Sequence, residues 1–211
     1  RPRLKRPAVD LALFDFDGTL TTCETFPRFL RAFVPPERQR AARWPLLPLV
    51  AGYRLGLVGG TRIREEIVRR GLAGVDAAAF EAAALDWTSR ELPALLRPEA
   101  LARLRAHRAR GDTVLVVSGN FEALLRAFAT AEGVVALGSR LESRDGLLTG
   151  RYDGPQCVLD EKVARIRAEL DPTRFGRIHA YGDTREDRPM LLMADVAHYL
   201  PAGWPATLAP L

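Results

Sequence analysis

Residues 11–20, with the sequence LALFDFDGTL, constrain the fold of this chain most strongly. A run of apolar residues leads into two aspartates one residue apart, and a glycine ends the run. In an extended strand alternate side chains share a face, so Asp15 and Asp17 point one way while Phe14 and Phe16 pack on the other. The two carboxylates therefore lie at the carboxyl end of a buried strand, where open α/β sheets bind their ligands.

Two carboxylates this close repel each other, so a cation between them or a proton on one of them must stabilise the pair. The arrangement suits a divalent metal ion together with a nucleophile and an acid. The alternative is a strand that ends in a solvated turn, which is common for a single aspartate. It fits poorly with two aspartates on one face that are followed at once by Gly18, Thr19 and Leu20.

Strand and helix patterns alternate over most of the chain and predict an α/β fold with a doubly wound parallel sheet. Apolar, β-branched runs such as TVLVV at 113–117 are typical of buried parallel strands. The predicted strands span residues 9–16, 113–117, 133–137, 178–181 and 196–200. The predicted core helices span residues 98–110, 121–131, 161–170 and 189–193. Residues 140–152, with Asp145-Gly146 near their centre, predict a small β-hairpin.

Residues 21–96 show a different pattern, with helical spacing at 27–33, 61–70 and 77–92 and charged outer faces. This block stands between the first strand and the next one. It therefore predicts an all-helical cap domain inserted after the first motif, and the α/β core then comprises residues 1–20 and 97–211.

Composition limits the classes of partner. The chain has 211 residues, 47% hydrophobic and 27% charged, which suits a globular domain with a small insertion. Its net charge of +5 favours an anionic partner, but the arginines are scattered rather than arranged as a stripe with interleaved aromatic residues, so we expect no nucleic acid partner. Cys23 and Cys157 lack metal-ligand spacing, which is compatible with a reducing compartment and predicts a cytoplasmic protein. The oligomeric state stays open.

Three further segments follow in an order that suits a phosphate site. Residues 118–120 (Ser-Gly-Asn) come directly after a predicted strand and offer a hydroxyl and backbone N–H groups for an anion at a helix N-terminus. Lys162 lies on a later predicted helix and is the only lysine after Lys5. Asp183 and Asp187 follow another strand, as an oxygen-liganded Mg²⁺ site requires.

Taken in order, DFDGTL, SGN, Lys162 and GDTRED resemble the four signature motifs of the haloacid dehalogenase superfamily of phosphatases and phosphotransferases. The resemblance implies a Rossmann-like core and a phosphomonoester hydrolase that forms an aspartyl-phosphate on Asp15, with Asp17 as general acid and base. Members that cleave carbon–halogen bonds lack the second aspartate, so Asp17 favours phosphate esters. Lys162 would neutralise Asp15 and the transferred phosphoryl group.

The resemblance also implies Mg²⁺ as cofactor and a set of ligands. The implied metal ligands are Asp15, the backbone carbonyl of Asp17, Asp183 and, as an outer or water-mediated ligand, Asp187. The implied substrate-binding residues are Thr19, Ser118, Gly119 and Asn120.

The position of the cap resembles a subgroup that contains phosphoserine phosphatases and phosphatidylglycerophosphate phosphatases. Glu24, nine residues after Asp15, matches a glutamate that grips the amino group of phosphoserine, or it is an ordinary acidic residue near a helix start. The SGNF string resembles SGGF of these enzymes, and Asn120 in place of glycine is expected to narrow the entrance. SRLE at 139–142 and LTG at 148–150 resemble the broader subgroup that includes lipid phosphatases. The expected substrate is therefore a small or a lipid phosphate monoester.

Two features have competing interpretations. Residues 44–60 (WPLLPLVAGYRLGLVGG) are too short and too broken by Pro and Gly to span a membrane. They line the inside of the cap, which is the favoured interpretation, or they make peripheral membrane contact with the help of Arg38, Arg40 and Arg43. His107 is expected to be a surface or packing residue, because its predicted helix carries no ligand cluster.

Two alternatives to hydrolysis stay open. The aspartyl-phosphate could pass to an acceptor other than water, which would make the enzyme a phosphotransferase. The fold could also serve as a non-catalytic phosphate-binding domain. A domain that only binds phosphate has no use for the proton-shuttling second aspartate, so Asp17 speaks against that alternative.

Overall fold

The computed structural model describes residues 9–205, and a five-stranded parallel sheet forms its centre. The strands are, in chain order, β1 (Leu11–Phe14), β2 (Thr113–Phe121), β3 (Val135–Ser139), β4 (Leu141–Arg144), β5 (Leu147–Tyr152), β6 (Ile178–Gly182) and β7 (Val196–Tyr199). The sheet has the order β3-β2-β1-β6-β7, and all four pairings are parallel. The predicted doubly wound α/β fold is confirmed.

Eight α-helices accompany the sheet in the described part of the chain. They are α1 (Phe26–Phe33), α2 (Pro36–Arg54), α3 (Gly60–Leu72), α4 (Ala77–Glu91), α5 (Pro98–Arg110), α6 (Glu122–Glu132), α7 (Asp160–Glu169) and α8 (Arg188–Leu192). The helices α1 to α4 all lie between β1 and β2 in sequence, where the helical pattern of residues 21–96 is found.

The central strand β1 is buried on both faces, as its apolar sequence predicts. Leu11 and Leu13 pack on one side with Ile166 of α7 and Met190 of α8. Ala12 and Phe14 pack on the other side with side chains from α5 and α6, in the same cluster as Phe16. This alternation fixes the register of β1, so the residue that follows Phe14 emerges at the carboxyl end of the sheet.

The helices α1, α3 and α4 pack against the end of β2 and the start of α6 in one apolar cluster. Phe29 of α1 contacts Phe80 and Trp87 of α4, and Phe29 and Phe80 also contact Phe121 at the end of β2. The ring centroids of these pairs lie between 5.4 and 6.5 Å apart. Because Phe121 follows the SGN segment directly, this cluster ties α1, α3 and α4 to the strand that carries the predicted phosphate-binding residues.

The predicted hairpin is present as the antiparallel pair β4 and β5. Asp145 and Gly146 form its turn with φ angles of 51° and 79°, values that suit the Asp-Gly turns of two-residue hairpins. The hairpin also continues into the helical segment, because the Leu148 N–H donates to the Val75 carbonyl at 2.7 Å and the Gly74 N–H donates to the Leu148 carbonyl at 2.8 Å.

The helix α2 was not predicted, and its position corrects one expectation. It runs for 19 residues through Pro45 and Pro48, and none of its residues is buried. The interpretation of residues 44–60 as the inner lining of the cap is therefore wrong for Trp44 and Leu47, which are exposed, whereas Tyr53 at the end of α2 does line the cleft described below. No helix within residues 9–205 combines the length and the apolarity that crossing a bilayer would take.

Candidate functional site

Asp15 is the first residue after β1, and two groups hold it in place. Its N–H donates to the carbonyl of Tyr181 in the neighbouring strand β6 at 2.9 Å. Its Oδ1 accepts a hydrogen bond from Lys162 Nζ at 2.6 Å. The carboxylate is buried, and burial, followed by the negative charge of Asp187, raises the pKa of Asp15 well above its ordinary value against the opposing effect of Lys162. The site therefore favours either a proton on a carboxyl group or a further cation beside Lys162.

Lys162 projects from α7 into the same buried space. Its Nζ donates to Asp15 Oδ1 and to Asp187 Oδ1, the latter at 2.5 Å, and only 1% of the residue is exposed. Burial acts to lower the pKa of Lys162, but the charges of Asp15 and Asp187 outweigh it and raise that pKa. A solvated surface lysine, the ordinary interpretation of an isolated lysine in a sequence, is excluded.

Asp183 and Asp187 follow β6 and complete an acidic cluster with Asp15. One carboxylate oxygen from each residue lies within 4.8 Å of the others. Thr19 Oγ1 donates to Asp183 Oδ1 at 3.1 Å, while Asp187 Oδ2 accepts from Asp183 N at 3.1 Å and from the Thr184 N–H at 2.9 Å. Asp187 thus holds the loop after β6 through these hydrogen bonds. The Asp183 carboxylate accepts a side-chain hydrogen bond from the Thr19 hydroxyl.

The electrostatics of this cluster fit a hard divalent cation. Burial and then the charge of Asp187 raise the pKa of Asp183. Burial also acts on Asp187, but Lys162 and the donors of Thr184 outweigh it and lower the pKa of Asp187. Three carboxylates surround the single ammonium group of Lys162. The atoms that could bind a metal ion are all carboxylate oxygens, which are the ligands that Mg²⁺ prefers.

The side chain of Asp17 turns away from this cluster toward the helical segment. Its Oδ1 accepts from the Thr25 N–H at 3.0 Å and from Thr25 Oγ1 at 2.6 Å, and its Oδ2 accepts from Asn120 Nδ2 at 2.8 Å. Burial raises the pKa of Asp17, and these donors offset part of that increase. The carboxylate of Asp17 is not part of the acidic cluster, so the metal contact that the resemblance assigns to its backbone carbonyl stays a prediction.

The SGN segment differs from its prediction in two respects. The helix α6 begins at Glu122, and β2 continues to Phe121, so residues 118–120 lie one residue or more before the helix N-terminus. Asn120 does not stand across the entrance, because its buried side chain donates to Asp17 and to Thr25 Oγ1 and accepts from the Phe121 N–H. Ser118 is buried, and its Oγ accepts from the Asn120 N–H at 3.2 Å.

Gly119 is required by close packing. A Cβ at this position would lie 2.6 Å from Cγ1 of Val158, in the segment that leads into α7. The absence of a side chain therefore lets the segment before Lys162 approach residues 118–120.

These residues surround a cleft of about 500 Å³ between the carboxyl end of the sheet and the helices α1 to α3. It is lined by Asp15, Asp17, Glu24, Phe26, Tyr53, Ile63, Arg64, Ser118, Gly119, Asn120, Lys162 and Glu186, among others. The structure thus brings together the predicted catalytic residues with Glu24. Thr19, which is fully buried, contacts Asp183 from behind the cluster instead.

Glu24 faces the negative side of the cleft. Partial burial of its carboxyl group is the main cause that raises the pKa of Glu24 to about 7, and the negative charges of Asp17 and Asp183 add to it. No hydrogen bond or ion pair to Glu24 is present among residues 9–205, so its carboxyl group is available to a ligand in the cleft. It does not cap α1, which begins at Phe26.

Two contacts across the cleft were missed by the sequence. Thr25 supplies two of the three donors to Asp17, although nothing in its local pattern distinguishes it from an ordinary helix-start threonine. Arg64 on α3 donates to Glu186 Oε1 and to Gln156 Oε1, both at 2.8 Å, and so joins the helical segment to the loop after β6. Their partners are distant in the chain, and no short motif contains both members of either pair.

His107 is a packing residue, as predicted, and lies outside the cleft. It is buried, its Nδ1 contacts Asp112 Oδ2 at 2.7 Å, and its Nε2 contacts the Tyr181 hydroxyl at 2.9 Å. Burial is the main cause that lowers the pKa of His107 to about 4, so the imidazole is neutral at pH 7.

Comparisons with known proteins give the family and the fold of this chain. The family model described as haloacid dehalogenase-like hydrolase matches residues 12–192. Protein CicA from Caulobacter vibrioides is 35% identical over 196 residues, which cover 90% of this chain and 85% of that protein. A phosphoserine phosphatase from Halobacterium salinarum is 31% identical, with coverage of 89% and 83%. The crystal structure of a protein of unknown function from Bordetella pertussis superimposes with a TM-score of 0.73 at 27% identity, with coverage of 89% and 87%.

The fold and the acidic cleft define a hydrolase with a doubly wound α/β core. The chain belongs to the haloacid dehalogenase-like hydrolase family. The expectation that it is an enzyme of this family is confirmed, and so is the resemblance to its phosphoserine phosphatase-like members.

Proposed function

We propose that the protein is a Mg²⁺-dependent phosphomonoesterase that works through a phosphorylated Asp15. The observation that carries this proposal is the pairing of two buried carboxylates with different environments in one cleft. Asp15 contacts the cation Lys162, which favours its ionised, nucleophilic form against the effect of burial, whereas Asp17 contacts only neutral donors. Two carboxyl groups whose surroundings differ in this way suit separate nucleophile and acid roles.

The first step joins an oxygen of Asp15 to phosphorus and breaks the bond between phosphorus and the leaving oxygen. Asp17, whose pKa burial raises, gives its proton to the departing alkoxide. In the second step a water molecule attacks the phosphorus, gives a proton back to Asp17, and releases inorganic phosphate and the Asp15 carboxylate. Thr25 and Asn120 hold Asp17 in one orientation for both transfers.

The remaining polar groups balance charge on the transferred phosphoryl group. Lys162 contacts Asp15 directly and lines the cleft together with Ser118 and Gly119, so these residues would bind phosphate oxygens. Asp15, Asp183 and the carbonyl of Asp17 would hold Mg²⁺, with Asp187 as an outer ligand. When bound, the ion would supply countercharge to the phosphate oxygens and to Asp15.

A small substrate with an amino group close to its phosphate fits the cleft best. Glu24 lines it beside Asp17 and has no partner of its own in the described residues, while Arg64 supplies positive charge. The curated relative from Halobacterium salinarum is a phosphoserine phosphatase, which adds support for an ester of this kind. We propose further that residues 21–96 act as a cap domain over the site. Cys23 and Cys157 are free thiols, in keeping with action in the cytoplasm.

A lipid phosphate monoester is the second candidate substrate. The observation in its favour is the group of exposed apolar residues on α2 and just after it, next to the Tyr53 wall of the cleft. Transfer of the phosphoryl group to an acceptor other than water would use the same first step, and added alcohols would then change the product.

The experiment that tests the proposal measures phosphate release with and without Mg²⁺ from phosphoserine, sugar phosphates, nucleotides and a lipid phosphate monoester in micelles. Asp15→Asn is expected to abolish release, and Asp86→Asn, at an exposed helix position, is expected to leave it unchanged. If no ester is hydrolysed by the wild type, the phosphate-binding domain is the better description.

The role of Glu24 is tested with a matched pair of esters, phosphoserine and the phosphate ester of 3-hydroxypropionate, which lacks the amino group. Glu24→Gln is expected to lower kcat/KM for phosphoserine by about tenfold or more, since a charged hydrogen bond is lost. The ester without the amino group should be hydrolysed about equally by both proteins. An equal loss on both esters would assign Glu24 a structural role.

A further inference from the structure

The exposed apolar side chains of this protein are concentrated in one segment. Five large ones, Trp44, Leu47, Tyr53, Leu55 and Leu57, occur within residues 44–57, and Trp44, Leu55 and Leu57 are each more than 70% exposed. We call these five residues the 44–57 surface. Scattered single apolar residues are normal on a protein, but a contiguous group of this size marks an interaction site.

Helical geometry places part of this group on one outward face of α2. Trp44 and Leu47 are three residues apart, and Ala51 follows four residues later, so all three fall on one side of the helix. Residues 42, 46, 49 and 50 are less exposed and form the opposite side, which faces the rest of the protein. Leu55 and Leu57 follow directly after the helix ends.

The charged residues within this stretch of the sequence have a single sign. Between Glu37 and Glu65 the sequence contains six arginines and no acidic residue. Arg38 is used within the fold, since it donates to the carbonyls of Gly71 and Ala73, and Arg40 pairs with Glu37.

Of the four arginines on α2, Arg43 and Arg54 stay available. Neither makes an ion pair or a hydrogen bond through its side chain within residues 9–205, and both lie on α2 next to the outward apolar face. The sequence predicted that Arg38, Arg40 and Arg43 help the membrane contact. Because Arg38 and Arg40 have partners within the fold, we expect Arg43 and Arg54 to bind the lipid phosphates instead.

We propose that the 44–57 surface docks on an anionic lipid bilayer. A helix that carries Trp and aliphatic residues on one side and arginines at its flanks lies in the interfacial layer, where the rings sit among the headgroups and the cations meet lipid phosphates. A membrane of negative surface charge complements this segment, whereas a neutral apolar partner would leave Arg43 and Arg54 uncompensated. Tyr53 belongs to both this surface and the cleft wall, so the docked enzyme presents its cleft to the headgroup layer.

The inference adds a substrate class to the proposed function. Its statement about hydrolysis rests on that function, whereas its statement about bilayer binding does not. It adds support for the second candidate substrate, a phosphate monoester carried on a lipid, because docking delivers such a phosphate to the Tyr53 side of the cleft. Binding to the bilayer needs no chemistry, so it can be measured separately from hydrolysis.

The test is co-sedimentation of the full chain with vesicles of phosphatidylcholine alone and with about one third phosphatidylglycerol. The wild type and Asp15→Asn are both expected to bind the anionic vesicles, less strongly as salt increases. The double variant Trp44→Ser/Leu47→Ser should lower the partition coefficient by about tenfold or more, because two apolar side chains no longer enter the interface. Arg43→Gln and Arg54→Gln should each lower it about fivefold on anionic vesicles only.

Leu85→Ser and Leu192→Ser are the matched controls, because these leucines are also largely exposed but lie elsewhere. They should bind vesicles as the wild type does. Equal binding by Trp44→Ser/Leu47→Ser and the wild type, or no binding by the wild type, overturns the proposal. A change of oligomeric state in that variant without vesicle binding would assign the surface to a second copy of the chain. Bilayer binding without hydrolysis of any ester would leave the docking surface standing and refute the proposed function alone.

Discussion

Replacement of Lys162 by methionine tests the electrostatic core of the site. Lys162 is the buried cation between Asp15 and Asp187, and methionine keeps most of its volume without the charge. Removing one partner of a buried, hydrogen-bonded ion pair costs about 3–5 kcal/mol of stability, because the charge left behind has no compensation. In a protein of this size that loss lowers Tm by on the order of 10 °C.

The pH dependence of this loss has a definite sign. Without Lys162, burial and mutual repulsion raise the pKa values of Asp15 and Asp187 in the folded state above their values in the unfolded chain. Acids with raised folded pKa values favour the folded state below the unfolded pKa, and this stability is lost as pH increases through the folded pKa. The difference in stability between Lys162→Met and the wild type should therefore be large at pH 7 and smaller near pH 5.

The assay is urea unfolding in EDTA at several pH values, repeated with Mg²⁺. Added Mg²⁺ should stabilise the folded state of the variant by compensating the carboxylates. Arg167→Met is the control, because Arg167 is an exposed cation on the same helix without a partner in the described residues, and it should change stability little. A stability loss that is small at pH 7, or one that increases on acidification, would refute the assignment of Lys162 as the counterion of the acidic cluster.

Two further substitutions test how the carboxylates are held. Asn120→Ala removes a hydrogen-bond donor to Asp17, so the pKa of Asp17 should increase. The alkaline limb of the plot of kcat against pH should then move to higher pH by about one pH unit. A shift to lower pH would contradict this role of Asn120. Gly18→Ala places a Cβ 2.2 Å from Asp183 Oδ2, at a backbone φ of 80° that alanine rarely adopts, so the Asp183 carboxylate must move. The affinity for Mg²⁺, measured by calorimetry, should fall at least tenfold. An unchanged affinity would show that Asp183 is not a ligand.

Local patterns in the sequence predicted the sheet, the hairpin and the position of Asp15, because each depends on a short run of residues. Strand β1 could be recognised from its continuous apolar run. The hairpin could be recognised from Asp145-Gly146, because both residue types tolerate the positive φ angles of such a turn. Lys162 could be assigned only through its order after the other motifs, since its contacts lie 147 and 25 residues away.

The features that were missed depend on tertiary contacts or override a local preference. Prolines usually end helices, and Pro45 and Pro48 hid α2, which nonetheless continues through both. The bond between Asn120 and Thr25 joins residues 95 positions apart, and the one between Arg64 and Glu186 spans 122. Neither residue type nor spacing indicates such pairs, so the role of Asn120 as a holder of Asp17 became visible only in the folded chain.

The central claim is that Asp15 carries the phosphoryl group, and rapid acid quenching tests it most directly. The enzyme is mixed with p-nitrophenyl phosphate and Mg²⁺, quenched within the first turnover, and its peptides are analysed by mass spectrometry. The account predicts a phosphoryl group on the peptide that contains Asp15, located at that residue and absent from Asp15→Asn. Full turnover by Asp15→Asn, or phosphate release with no phosphorylated aspartate at any quench time, would contradict it.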